Sequence, residues 1–234
     1  MKLAPVLLLC VASTFAAPAP TQAYTAPQFT DSFAARRAKV EAVLPQIDDA
    51  FRASATERKF PGFVWGIVLD GELVHTGATG FADVENKIPA ARDTRFRIAS
   101  MSKSFTALAI RKLRDAGKLS LHDPVEKFLP EFKDVAKLTT DSPAIPVRHL
   151  LTMTPGFPED NPWGDRQLAV GVKEFSVFLT GGVTLSNAPG ITFEYSNLAY
   201  ALLGQIVAKT AGESFQRYIT RELLQPLGMQ DTVW

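Results

Sequence analysis

The chain has 234 residues, 46% of them hydrophobic and 21% charged, with a formal net charge of +1. This is ordinary globular composition, enough for one large domain or two small ones. A balance so close to neutral gives no electrostatic drive toward nucleic acid or an anionic membrane surface. No run of five or six like charges, internal repeat or low-complexity tract is found.

In chain order, Met1-Lys2 precedes the apolar run "LAPVLLLCVAS" and a small-residue and proline stretch ending "PAPTQA". A basic start, a short apolar core and a Thr21-Gln22-Ala23 site predict a secretory signal peptide over residues 1–23. The run falls short of the ~20 apolar residues that a spanning helix needs. Lipidation at Cys10 is disfavoured, because Leu9 rather than a small residue precedes it. Cleavage after Ala23 removes Cys10, the sole cysteine, and with it disulfide and thiolate chemistry. The expectation is a periplasmic or secreted protein with no membrane segment after cleavage.

Residues 24–34 read as a leader. Apolar positions at helical spacing over 33–58, interrupted by Pro45, predict one kinked helix or two short ones. In "FVWGIVLDGELVHTGATGF" two β-rich runs flank Asp70-Gly71, which predicts a hairpin of strands 63–69 and 72–79 on a type I′ turn. From Ser100 to Ala116 the pattern is helical, with Phe105, Leu108, Ala109 and Leu113 on one side and Gly117 as the stop. Asp123-Pro124 opens a short helix. Further helices are expected over 148–153, 167–179, 197–211 and 214–224, with a short extended piece at 191–195. No strand pattern follows residue 195.

Two motifs carry chemistry. Ser100 and Lys103, in "RIASMSKSF", share a helix face at i and i+3, so the lysine can reach the hydroxyl. A serine at a helix N-terminus gains from the positive end of the dipole, and it needs an adjacent base to become a nucleophile. The same tetrad also reads as a helix cap beside a solvated lysine. In "ITFEYSNLAYALLG", Tyr195 and Asn197 precede an apolar helix. Two residues apart in extended backbone, they face one way, and a phenol beside cations can relay a proton. A packed tyrosine next to an asparagine cap is the plainer alternative.

Other chemistries lack their signatures. No Gly-x-Ser-x-Gly surrounds a serine, and no phosphate-binding Gly-x-x-x-x-Gly-Lys-Ser/Thr loop occurs. His75, His122 and His149 are scattered and form no His-Glu-x-x-His, so no metal site is expected. The loop "PEDNPWGDR" suits a pocket wall or a surface loop with one buried Trp163.

Taken together and in order, these segments resemble the serine β-lactamase and DD-peptidase superfamily, in its class C-like branch. "FRIASMSKSFTALAI" is similar to the nucleophile helix and "VRHLLTMTPGFPEDN" to the helix and loop that follow it. "FEYSNLAYALLGQIV" is similar to the second motif and "LLQPLGMQDT" to the segment after it. The resemblance covers most of residues 35–234. It implies an α+β fold, with a helical subdomain over about 100–225 beside an antiparallel sheet that has only its first hairpin here.

The resemblance also implies roles. Ser100 is the acylated nucleophile, Lys103 its proton partner, Tyr195 the general base or relay, and Asn197 the residue that orients lysine and substrate. The Ser100 main-chain N–H forms half of an oxyanion hole. No metal or cofactor takes part. The family's His-Thr-Ser-Gly stands here as Met153-Thr154-Pro155-Gly156, and its Lys/His-x-Gly motif has no counterpart before Trp234. The expectation is therefore the N-terminal portion of the fold, with poor turnover by these residues alone. Two readings stand: a serine hydrolase acting on a β-lactam, D-alanyl peptide, D-amino-acid amide or ester, or a shortened non-catalytic relative that binds cell-wall peptide.

Overall fold

The computed structural model describes residues 30–134, 138–139, 141–160, 164, 166–167 and 169–234. The expected signal peptide, Cys10, most of the leader and Trp163 lie outside the described residues. The chain forms two compact units that meet in sequence between Thr94 and Arg95.

The first unit carries two helices and a sheet. Helix α1, Phe33–Glu41, starts where the Ser32 hydroxyl accepts the Ala35 N–H. Helix α2, Leu44–Glu57, has Pro45 in its first turn, where a missing N–H costs nothing. The expected interruption is thus a break between two helices, just before the proline. Strands β1, Gly62–Leu69, and β2, Glu72–Asp83, pair antiparallel from Leu69 opposite Glu72 to Gly62 opposite Gly80. Asp70 and Gly71 both take positive φ, 50° and 85°, as a type I′ turn demands. A two-residue strand β3, Ile88–Pro89, adds to β2, so the sheet has three strands where a hairpin alone was expected.

Helix α2 lies on this sheet through aromatic and polar contacts. Phe51 sits 5.4 Å from the Trp65 ring and 5.9 Å from Phe63. Asp48 accepts the Trp65 indole N–H at 2.8 Å and meets His75 Nε2 at 2.7 Å. The pairing holds the Asp48 carboxyl below its usual range, His75 first and Trp65 second, against the opposing cost of burial.

The second unit is helical. Helix α3 spans Ser102–Asp115, α4 Val147–Leu151, α5 Val172–Thr180, α6 Asn197–Ala211 and α7 Phe215–Ile219, which runs on into one π-helical turn, Thr220–Leu224. Helix α6 is the central element: Leu202, Leu203, Ile206 and Val207 are fully buried and pack in one core with Ile110, Leu113, Leu150 and Ile219. Helices α3, α4 and α7 surround it.

Several expectations shift here. Thr106, Ala109, Ile110 and Leu113 form the buried face of α3, whereas Leu108 is 41% exposed. Asp123-Pro124 opens only a 3₁₀ turn, Val125–Lys127, and the Asp123 carboxylate accepts the Ser120 N–H instead. Among the described residues, the 191–195 piece pairs with no strand. Among the described residues, no helix is long and apolar enough to cross a membrane.

Candidate functional site

The site lies within the second unit, where the start of α3 meets the start of α6. A 3₁₀ turn, Ala99–Met101, leads into α3. Ser100 therefore sits in this turn, not in the α-helix expected to begin with it. Because a 3₁₀ turn has three residues, Ser100 and Lys103 still share one side. Ala99 takes φ 45°, a left-handed conformation that costs a non-glycine residue of order 1–2 kcal/mol. It turns the chain so that Ser100 is exposed at the corner.

The second half comes from the entry to α6. Ser196 is the N-cap, extended at φ −137° and ψ 117°, and its hydroxyl accepts the Ala199 N–H at 3.0 Å. With the residue between them extended, Tyr195 and Asn197 reach toward the same side, as their spacing predicted. One turn further along, Tyr200 brings its ring to 5.7 Å from Lys103 Nζ and donates its hydroxyl to the Leu151 carbonyl at 3.2 Å.

Lys103 Nζ joins the halves. It donates to Ser100 Oγ at 3.0 Å, to the Tyr195 hydroxyl at 2.7 Å and to Asn197 Oδ1 at 2.7 Å. An ammonium has three donors, and here three acceptors meet them. Ser100 Oγ and the Tyr195 hydroxyl are 2.5 Å apart. All four candidate residues are thus brought together, from segments more than 90 residues apart in sequence.

The electrostatics of Tyr195 follow from this contact. Burial pushes its phenol up, and Asp160 adds to that. The bonds from Lys103 and Ser100, with the lysine's charge, outweigh both and bring the phenol below its ordinary value near 10. Tyr200, half-buried and without a bond from Lys103 or Ser100, is pushed up by that burial. A lowered pKa favours the phenolate, and a phenolate in contact with a serine hydroxyl is equipped to take that hydroxyl's proton.

His75 and His122 take no part, and His149 sits against Gly190, held below its usual value by burial and by Arg148. Among the described residues no group of three His, Cys, Asp or Glu could hold a metal ion. Sequence reasoning missed Asp160. Its carboxylate accepts the main-chain N–H groups of Asn197 at 2.6 Å and Leu198 at 2.8 Å, and the Ser196 hydroxyl at 3.0 Å. Nothing in local spacing links it to residues 36 to 38 positions away.

Comparison with known proteins points one way. The profile described as "Beta-lactamase" matches residues 47–234. Esterase EstB of Burkholderia gladioli is 32% identical over 199 residues, covering 80% of this chain and 50% of that protein. The octameric penicillin-binding protein homologue from Pyrococcus abyssi superposes with a TM-score of 0.69 at 34% identity, covering 80% of this chain and 43% of that one. A class C β-lactamase does so at 0.68 and 25% identity, over 85% and 52% of the two chains. The chain spans 37% to 50% of the length of the curated relatives it matches.

Proposed function

Since the chain belongs to the β-lactamase family, we propose that it is an exported serine hydrolase that acts by acyl transfer through an ester on Ser100. One observation carries the reading: Lys103 Nζ is bonded at once to Ser100, Tyr195 and Asn197. The fold is that of serine hydrolases, and the related proteins include an esterase and a class C β-lactamase. Those names support a substrate with an activated acyl group, an ester or a β-lactam; D-alanyl peptides and D-amino-acid amides offer a carbonyl for the same acyl transfer without that activation. Export rests on the signal-like residues 1–23.

In this mechanism Tyr195, as the phenolate, takes the proton of Ser100 Oγ and becomes a neutral phenol. It is the nearer of the two partners, at 2.5 Å against 3.0 Å for Lys103, and its phenol is lowered. Oγ attacks the acyl carbonyl, a tetrahedral oxyanion forms, and the main-chain N–H of Ser100 helps to hold it. Tyr195 returns the proton to the departing amine or alcohol as the acyl bond breaks. Water then attacks the ester on Ser100, gives its proton to Tyr195, and Oγ leaves and is reprotonated. Lys103 supplies positive charge that favours Tyr195 in its ionised form, and Asn197 holds Lys103 in place.

A fluorophosphonate probe tests this. Ser100 is expected to be labelled, and Ser100→Ala to abolish labelling while Ser102→Ala leaves it nearly intact. Probe incorporation unaffected by Ser100→Ala would overturn the assignment and favour a non-catalytic relative.

A further inference from the structure

We propose that Asp160 and Gly164, which follow α4 in the chain, form a positioning clamp on the Tyr195-Ser196-Asn197 segment. The proposal rests on the acyl-transfer reading above. Asp160 uses both carboxylate oxygens. Oδ1 accepts the Asn197 N–H at 2.6 Å, and Oδ2 accepts the Leu198 N–H at 2.8 Å and the Ser196 hydroxyl at 3.0 Å. Its own N–H points at the Tyr195 carbonyl at 3.4 Å. Ser196 is fully buried, and its hydroxyl is the relay of this clamp: it donates to Asp160 and accepts from Ala199.

Ordinary helix capping is already done by Ser196. A serine cap satisfies one of the four orphan donors of a helix start, and Asp160, 36 residues away, takes two of those that Ser196 leaves. Those two belong to Asn197, which holds Lys103, and to the residue after it. Orphan donors at a helix start also favour a negative charge there. The clamp therefore locks the peptide units on either side of Ser196, and with them the directions in which the Tyr195 ring and the Asn197 amide leave the chain.

Gly164 closes the clamp from the side-chain end. Its N–H bonds the Asp160 carbonyl at 2.9 Å, so the two residues move as one turn. A Cβ at 164 would stand 2.3 Å from Asn197 Nδ2 and 2.6 Å from its Cγ. The glycine backbone thus lies directly on the carboxamide whose other end, Oδ1, accepts from Lys103 at 2.7 Å. Asp160 fixes the main chain of Asn197, and Gly164 fixes its amide against the lysine.

Ser100 from the 3₁₀ turn and Lys103 from α3 bond the Tyr195 phenol, while Asp160 beyond α4 and Tyr200 from α6 interact with it through charge. Asp160 is the one negative charge among them, and it raises the phenol. Its neutral isostere, Asp160→Asn, keeps one acceptor oxygen but removes the charge.

The test is the rate of Ser100 phosphonylation by a fluorophosphonate, followed against probe concentration and pH. Asp160→Ala is expected to cut the limiting rate by about 10- to 10²-fold, the scale of a small misplacement, with little change in the half-saturating probe concentration. Gly164→Ala is expected to do the same. Asp160→Asn should recover part of the rate and move the acid limb of the profile to lower pH, because the charge that raises the phenol is gone. Wild-type rates in Asp160→Ala, or losses that only track the folded fraction with no limb shift in Asp160→Asn, would overturn the clamp. Should Asp160→Ala fail to fold, Asp160→Asn and Gly164→Ala carry the test. If the wild-type chain is not labelled at Ser100, the acyl-transfer reading fails separately. Crystal structures of the variants then decide: a Tyr195 hydroxyl and an Asn197 amide still within hydrogen-bond reach of Lys103 Nζ would refute the positioning role.

Discussion

Lys103 Nζ and the Tyr195 hydroxyl lie 2.7 Å apart, although 92 residues separate them. The same nitrogen stands 4.8 Å from the centre of the Tyr195 ring. Together with the bond from Ser100, this pair biases Tyr195 toward its ionised form.

The pair predicts a pH effect with a definite sign. An acid whose ionised form is favoured titrates below its ordinary value, near 10 for a phenol. The acid limb of Ser100 acylation is therefore expected below pH 10. Lys103→Met removes the bond and the charge but leaves the burial that pushes the phenol up, so the limb should move to higher pH. A limb that stays in place in Lys103→Met would show that Tyr195 is not the group titrating.

Lys103→Ala and Tyr195→Phe should each lower kcat far more than they raise KM, by the 10²- to 10⁴-fold typical of acid–base groups. Because both act on one proton path, the double variant should lose much less than the product of the single losses. Steady-state kinetics on a p-nitrophenyl ester read this directly, and multiplicative losses would separate the two residues.

Core position decides a third expectation. Ile206 is fully buried in the centre of α6, and truncating such a residue costs about 2–5 kcal/mol. Ile206→Ala should lose that much in denaturant unfolding. Leu108→Ala, at a position facing solvent, should lose about 0.5 kcal/mol or less. Similar losses at the two sites would mean that the α3 face is misassigned.

A fourth concerns the first unit. Asp48 is lowered on folding by His75 and Trp65. Its contribution to stability is present above the ordinary carboxylate value of about 3.9 and lost as pH falls through the lower folded value. The Trp65 indole N–H resonance should therefore hold its position down to about pH 4 and shift below it. Asp48→Asn should remove that transition. A Trp65 resonance indifferent to Asp48→Asn would mean that the bond is absent in solution.

What the sequence determined by itself is local. Asp-Gly between alternating runs suffices for the hairpin turn, because a positive φ at both positions is a property of those residues. A long apolar period ending at a glycine suffices for helix α6. The motifs around Ser100 and Tyr195 were legible for the same reason, since each is held within a few residues. Tertiary structure decided the rest. Leu108 faces outward because the positions of α6 and α7, not helical spacing, choose which side of α3 is covered. Strand β3 has two residues, too few to leave a periodic signal, and exists only through pairing with β2. Asp160 carries no mark in its own neighbourhood, because a carboxylate's partners are whichever N–H groups the fold carries to it. The same holds for the site itself: each motif could be read alone as a cap or a packed side chain, and it is their meeting at Lys103 Nζ, across 92 residues of chain, that supplies three acceptors for three donors and a lowered phenol.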